Sequence, residues 1–219
     1  MKKLIEIVFV LDRSGSMYGL EKDTIGGFNS MLDKQRQEEN PVLVSTVLFN
    51  DECKVIHDRV PLAEITNLTE ADYYVGGCTA LLDAVGGAIK HISHVHKYIR
   101  EEDRPQKTLF VITTDGLENA SKKYSYGQLK EMIESKQKQE QWKFIFMGAN
   151  MDAITEAGRL GISKEHAVRY CCDEEGTRRN FEAVGCVLGS FCSSPEADEL
   201  FMNWKKDIEA YQRKKEGTK

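Results

Sequence analysis

Four segments, Ile5 to Leu11, Val42 to Phe49, Thr108 to Thr114 and Trp142 to Met147, are short, rich in β-branched and aromatic residues, and almost continuously apolar. A strand with one wet face would alternate. These do not, which predicts strands covered on both faces, as in a mostly parallel sheet. Cys53 to Val60 follows Asn50-Asp51-Glu52 at hairpin distance and alternates less cleanly, so it predicts an antiparallel edge strand. Ala167 to Tyr170 is a weaker sixth candidate.

Between these strands the period changes. Leu81, Val85, Ala88, Ile89, Ile92, Val95 and Ile99 recur every three or four positions, predicting one apolar stripe on a helix from about Ala80 to Arg100. Leu20 to Gln37, with Ile25, Phe28, Met31 and Leu32, predicts a helix before the second strand, and Tyr126 to Gln139 another before Trp142. Toward the end, Ser194 caps a predicted helix with Pro195 in its first turn and Leu200, Phe201, Trp204, Ile208 and Tyr211 as its stripe. Arg213, Lys214 and Lys215 close it, where cations complement the helix dipole. Alternating strands and helices imply right-handed crossovers. The expected fold is an α/β, doubly wound, Rossmann-like sheet, mostly parallel, with one antiparallel edge strand and helices on both faces. A chain of 219 residues, 41% of them hydrophobic, suits one such domain over residues 1–219, with 194–219 as a C-terminal helix and charged tail.

The formal net charge of -5 removes the basic face that phosphate backbones select, so nucleic acid is not an expected partner. Lys2 and Lys3 before the run Leu4 to Leu11 imitate a short secretory signal. Glu6 interrupts that run, no small-residue cleavage site follows, and it ends on Asp12, so a buried strand is the better reading. No stretch approaches the roughly 20 apolar residues that span a bilayer, and a soluble, cytoplasmic protein is expected. Cysteines at 53, 78, 171, 172, 186 and 192 form neither Cys-x-x-Cys nor a zinc-spaced run with His, which predicts reduced thiols. His91, His94 and His96 lie off the apolar stripe and lack a His-Glu-x-x-His pattern, so a solvent-facing cluster is expected.

The candidate chemistry gathers where strands end. Asp12-Arg13-Ser14-Gly15-Ser16 delivers an acid and two hydroxyls at the carboxyl end of the first strand, and Gly15 lets the backbone curl there. Thr113-Thr114-Asp115-Gly116 ends the Thr108 to Thr114 strand with a second acid, and Gly76-Gly77-Cys78-Thr79 delivers a third hydroxyl just before a long helix. If the strand order reverses between those two strands, both aspartates face one crevice at a topological switch point. Oxygen ligands of this kind suit Mg²⁺, Mn²⁺ or Ca²⁺ over zinc or copper.

An apolar strand into Asp-x-Ser-x-Ser, a Gly-rich loop with Thr, and a strand ending in Thr-Asp-Gly together resemble the metal-ion-dependent adhesion site (MIDAS) of von Willebrand factor A domains. Asp12, Ser14, Ser16, Thr79 and Asp115 match its five side chains in order. The resemblance covers roughly the first 150 residues. It implies that the serines bind the ion directly and that threonine and the aspartates bind directly or through water. An open coordination position is then left for the Asp or Glu of a protein partner. Without a signal segment, the resemblance points to intracellular or prokaryotic stand-alone relatives, which serve in protein assemblies. It implies a binding module, not an enzyme.

Around these ligands, Asp83 either orients the loop or simply favours a helix amino end. Arg13 is expected on the rim of the site, facing an acidic partner or solvent, with Gly15 and Gly116 beside the ligands. Glu118 and Asn119 are expected as solvated loop residues. Two alternatives stand: phosphoryl transfer through Asp12, weakened because Ser14 occupies the place where a dehalogenase-type phosphatase carries its second acid, and a scaffold whose metal is incidental.

Overall fold

The computed structural model describes residues 3–36, 40–149, 152–193 and 203–217. Six strands run through it: β1 (Ile5–Asp12), β2 (Val42–Phe49), β3 (Cys53–Pro61), β4 (Lys107–Thr114), β5 (Lys143–Ala149) and β6 (Ala167–Tyr170). They form one sheet in the order β3-β2-β1-β4-β5-β6. All pairs are parallel except β2 with β3. Every residue of β1 is buried, as its nearly continuous apolar run predicts for a central strand. The chain leaves β1 toward β2 on one side and returns to β4 on the other, so the strand order reverses at the carboxyl end of β1.

Helices cover both faces. Ile5, Ile7, Phe9 and Leu11 of β1 face α1 (Glu21–Gln35) and the later helix α5 (Glu174–Ser193), where Phe28, Met31, Val184, Leu188 and Phe191 complete one core. Phe28 stands edge-on between Phe9 and Phe181, at centroid distances of 5.1 and 6.4 Å, and burying a side chain of that size contributes roughly 1.5–3 kcal/mol. The alternate positions Val8 and Val10 face α2 (Leu81–Tyr98), α3 (Tyr126–Glu140) and α4 (Ala153–Arg159), with Leu81, Val85, Ile89, Leu129, Ile133 and Ala157 in the second core. Ser125 caps α3 through a capping box with Gln128.

Neither α4 nor α5 is among the predicted elements, although Phe181, Val184, Leu188 and Phe191 follow the helical period. Ser194, Pro195, Leu200 and Phe201 of the predicted final helix lie outside the described residues. The described helix there is α6 (Lys206–Glu216), so Trp204 precedes it instead of lying on it. Trp204 and Ile208 are buried and Tyr211 half-buried. Among the described residues no helix is long and apolar enough to cross a membrane.

One expectation about polar residues needs correction, and the reason lies in Glu6. Glu6, the apparent interruption of β1, is fully buried and pairs with Arg59 Nε and His96 Nε2. His96 is therefore not part of a solvent-facing cluster: α2 turns it inward onto Glu6, while His91 bonds Asp58 and His94 is exposed. A buried carboxylate needs such partners because desolvation is otherwise uncompensated. Arg59 reaches Glu6 from a bulged part of β3, where it takes a left-handed φ of 52° and its N–H donates to Ser45 Oγ at 3.0 Å. The bulge accounts for the imperfect alternation of the edge strand.

Candidate metal centre

β1 and β4 end side by side, Leu11 opposite Thr113, so the next residues of each strand emerge together. Thr114 Oγ1 donates to Asp12 Oδ2 at 2.6 Å, and Asp12 Oδ1 accepts from the backbone N–H of Ser14 at 2.7 Å. These bonds fix the Asp12 carboxylate and turn the chain after it into a tight loop, continued by the short 3-10 turn Gly15–Met17. Ser14 and Ser16 then bring their hydroxyl oxygens within 3.1 Å of each other.

The third loop is fastened from both sides. Gly15 N donates to Gly77 O at 3.1 Å, Gly76 N to Arg13 O at 3.0 Å, and Ala80 N to Asn50 O at 2.8 Å. Asn50 Nδ2 also donates to Gly76 O at 2.8 Å. On the far side, Thr79 N donates to Asn119 Oδ1 at 2.9 Å and Asn119 N returns a bond to Thr79 O at 3.0 Å. Thr79 is held with its hydroxyl over Gly116: a Cβ placed at Gly116 would lie 2.8 Å from Thr79 Oγ1, 3.1 Å from Ser16 Oγ and 3.7 Å from Ser14 Oγ. Three hydroxyls from two loops thus converge on the residue after Asp115. Gly77 supplies the turn with a φ of 78°, in space where a Cβ would stand 1.8 Å from Asp51 Oδ1.

Asp12, Ser14, Thr79 and Asp115 are all buried, while Ser16 opens to solvent. Burial pushes the Asp12 carboxyl above the usual carboxylate range; bonds from Thr114 and Ser14 offset part of this, and the charge of Asp115 adds to it. Burial, with Asp12 next, likewise holds the Tyr73 phenol far above its ordinary value, so it stays protonated and donates to the Asp12 carbonyl oxygen. Asp115 Oδ2 accepts from Cys172 Sγ at 3.0 Å, but Asp115 Oδ1 is buried with no hydrogen-bond partner.

A divalent cation fits this arrangement. Two neighbouring buried carboxylates, one with an orphaned oxygen, are costly without a counter-charge, and the hydroxyls beside them are the remaining hard donors. Among the described residues no group of three or more His, Cys, Asp or Glu gathers into a metal cluster, so any ion here depends on Ser14, Ser16 and Thr79 as well as the two acids.

The surroundings differ from expectation in three respects. Arg13 does not project from the rim. It is 1% exposed, its guanidinium 4.2 Å from the centroid of the Tyr74 ring, because its own backbone is bonded to Phe49 and Gly76 and faces the 74–77 loop. Gly15 takes no left-handed φ, so its backbone freedom is not what curls the loop. Glu118 and Asn119 are not merely solvated: Glu118 accepts from the N–H groups of Leu82, Ala120 and Ser121, and Asn119 holds Thr79. Asp83 sits in the first turn of α2 and accepts from the N–H groups of Lys122, Lys123 and Tyr124, at 2.9, 2.8 and 3.0 Å. It serves both readings, helix end and loop anchor. Thr114, Asn50, Tyr73 and Cys172 are contributors that sequence reasoning missed. Only Thr114 carried a signal, as the residue before the second acid.

No protein-family model matches the chain, and no curated protein matches it in sequence. Solved structures do match in fold. A von Willebrand factor type A protein from Catenulispora acidiphila superposes with a TM-score of 0.53 at 13% identity, over 84% of this chain and 42% of that one. Proximal thread matrix protein 1 from the mussel byssus superposes with a TM-score of 0.58 at 14% identity, over 87% and 46%. A second structure of that byssus protein, with a zinc-occupied MIDAS motif, gives a TM-score of 0.57 at 14% identity, over 87% and 46%. The chain spans less than half the length of each.

Proposed function

On a von Willebrand factor A fold, we propose that the chain is a divalent-cation-dependent protein-binding module whose ion is held by Asp12, Ser14, Ser16, Thr79 and Asp115. One observation carries this reading: three hydroxyls converge beside two buried aspartates, one of which keeps a buried oxygen without a hydrogen-bond partner. A bound Mg²⁺, Mn²⁺ or Ca²⁺ supplies an electrophilic coordination position that an Asp or Glu carboxylate of a partner completes. The chain's own residues do the rest. Asp12 and Asp115 balance the charge, Thr114 and Ser14 N–H hold Asp12 in place, and Asn119 and Asn50 hold the Thr79 loop.

A macromolecular partner is supported by Tyr18 and Leu117, each two residues beyond a ligand and each an exposed large hydrophobic side chain. Binding in place of catalysis is supported by Asp12 itself: it is 1% exposed with both carboxylate oxygens already accepting bonds, an unsuitable state for a phosphoryl acceptor. Among the described residues the cysteines form no disulfide, which supports a reducing, cytoplasmic setting.

The test is calorimetric titration of metal-stripped protein with Mg²⁺, Mn²⁺ and Ca²⁺, beside a folded Asp12→Ala variant, followed by capture of acidic peptides with and without the ion. Ion binding that the variant loses, with ion-dependent capture, is expected. Wild-type protein that binds none of the three, or captures peptide equally well in chelator, would sink the reading.

A further inference from the structure

The two oxygens of Asp115 are in different situations: Oδ1 is buried without a hydrogen-bond partner, and Oδ2 accepts from Cys172 Sγ at 3.0 Å. Cys172 lies two residues beyond β6, which is separated from β4 by β5. A side chain from the far edge of the sheet therefore reaches across to a ligand on a central strand. The torsion that turns a carboxylate about its own axis is broad, so an outside contact on one oxygen sets the plane of the Asp115 carboxylate and with it the direction of the other oxygen.

We infer that Cys172 is the positioning residue for the Asp115 carboxylate, occupying Oδ2 so that Oδ1 is the oxygen left for the cation. The inference rests on the ion-site reading above. A thiol suits the task because it is a weak donor: it fixes the orientation of the carboxylate while leaving most of its negative charge for the ion. Half-buried Cys172 is also sheltered enough for its bond to Asp115 to count. Groups that orient metal ligands in this way commonly change affinity by 10–100-fold when removed.

The experiment compares wild type, Cys172→Ala, Cys172→Ser and, as a neighbouring control, Cys171→Ser. Free Mn²⁺ is followed by its paramagnetic resonance signal during titration, and the melting temperature of each metal-stripped protein is measured alongside. Cys172→Ala is expected to weaken Mn²⁺ binding about tenfold with the metal-stripped melting temperature unchanged. Cys172→Ser, which keeps a donor, should recover most of the affinity, and Cys171→Ser should match wild type. Affinity in Cys172→Ala within twofold of wild type overturns the positioning role while leaving the ion site standing. A loss that serine does not recover and that tracks a lowered metal-stripped melting temperature overturns it too, as mere packing. Wild type that binds no Mn²⁺ overturns the ion site itself.

Discussion

Thr114 Oγ1 donates to Asp12 Oδ2 at 2.6 Å, joining the carboxyl ends of two neighbouring parallel strands through one buried side-chain bond. Thr114 is not itself in the five-residue ligand set, yet it decides how the first acid is presented. Thr114→Val keeps the β-branched shape that a buried strand end packs and removes only the hydroxyl. The expected result is about tenfold weaker Mg²⁺ or Mn²⁺ binding by calorimetry, with the secondary structure retained. Unchanged affinity would show that the backbone alone places Asp12.

Gly116 sits under the converging hydroxyls, with Thr79 Oγ1 only 2.8 Å from where a Cβ would be. Gly116→Ala should push Thr79 and Ser16 apart, at a stability cost of about 1–3 kcal/mol, and abolish measurable ion binding. Thermal melts in chelator and in excess Mn²⁺ read both: wild type should gain stability from the ion, and the variant should not. An ion-dependent gain equal to that of wild type would mean the hydroxyls are not ligands.

Asp83 ties the first turn of α2 to the segment that follows the second acid, by accepting three backbone N–H groups. Burial pushes its carboxyl up, but the bonds from Lys122, Lys123 and Tyr124 outweigh that and hold it below the usual carboxylate range. A depressed carboxyl stabilises the fold above its unfolded value and loses that contribution as pH falls through its folded value. Asp83→Ala should therefore cost about 1–3 kcal/mol at neutral pH, and the deficit against wild type should shrink in acid. Urea midpoints across that range give the comparison; a deficit that grows toward acid contradicts the assignment.

Glu6 lies fully buried between Arg59 and His96. Glu6→Ala strands both partners and should destabilise by roughly 3–5 kcal/mol. A combined Glu6→Leu, Arg59→Leu, His96→Leu replacement should recover most of that loss, since apolar residues of similar volume often replace a buried ionic group without penalty. Denaturant unfolding of the two variants decides it, and a triple variant less stable than Glu6→Ala would assign the triad a positive role in stability.

The sequence by itself determined the sheet. Strands buried on both faces carry a nearly continuous apolar signature, so β1, β2, β4 and β5 were legible to within two residues, and the hairpin distance after Asn50 marked β3. The helical stripes of α1 and α2 were equally plain and α3 was legible as a helix before β5, while α5 was not among the predicted elements. The residue types of the ion site were legible as well, because a ligand set must bring its own oxygens and those stand in the sequence as Asp12, Ser14, Ser16, Thr79 and Asp115. What the tertiary structure decided is everything that depends on which side chains meet across long separations. Arg13 and His96 look like surface residues beside polar neighbours, but a rotation of one residue on a helix or a turn in a loop buries them, and local pattern does not resolve that rotation. Cys172 touches Asp115 from 57 positions away, and Asn50 holds the Thr79 loop across 26. Such contacts follow from strand order and loop path, which fix distances in space that spacing along the chain does not encode.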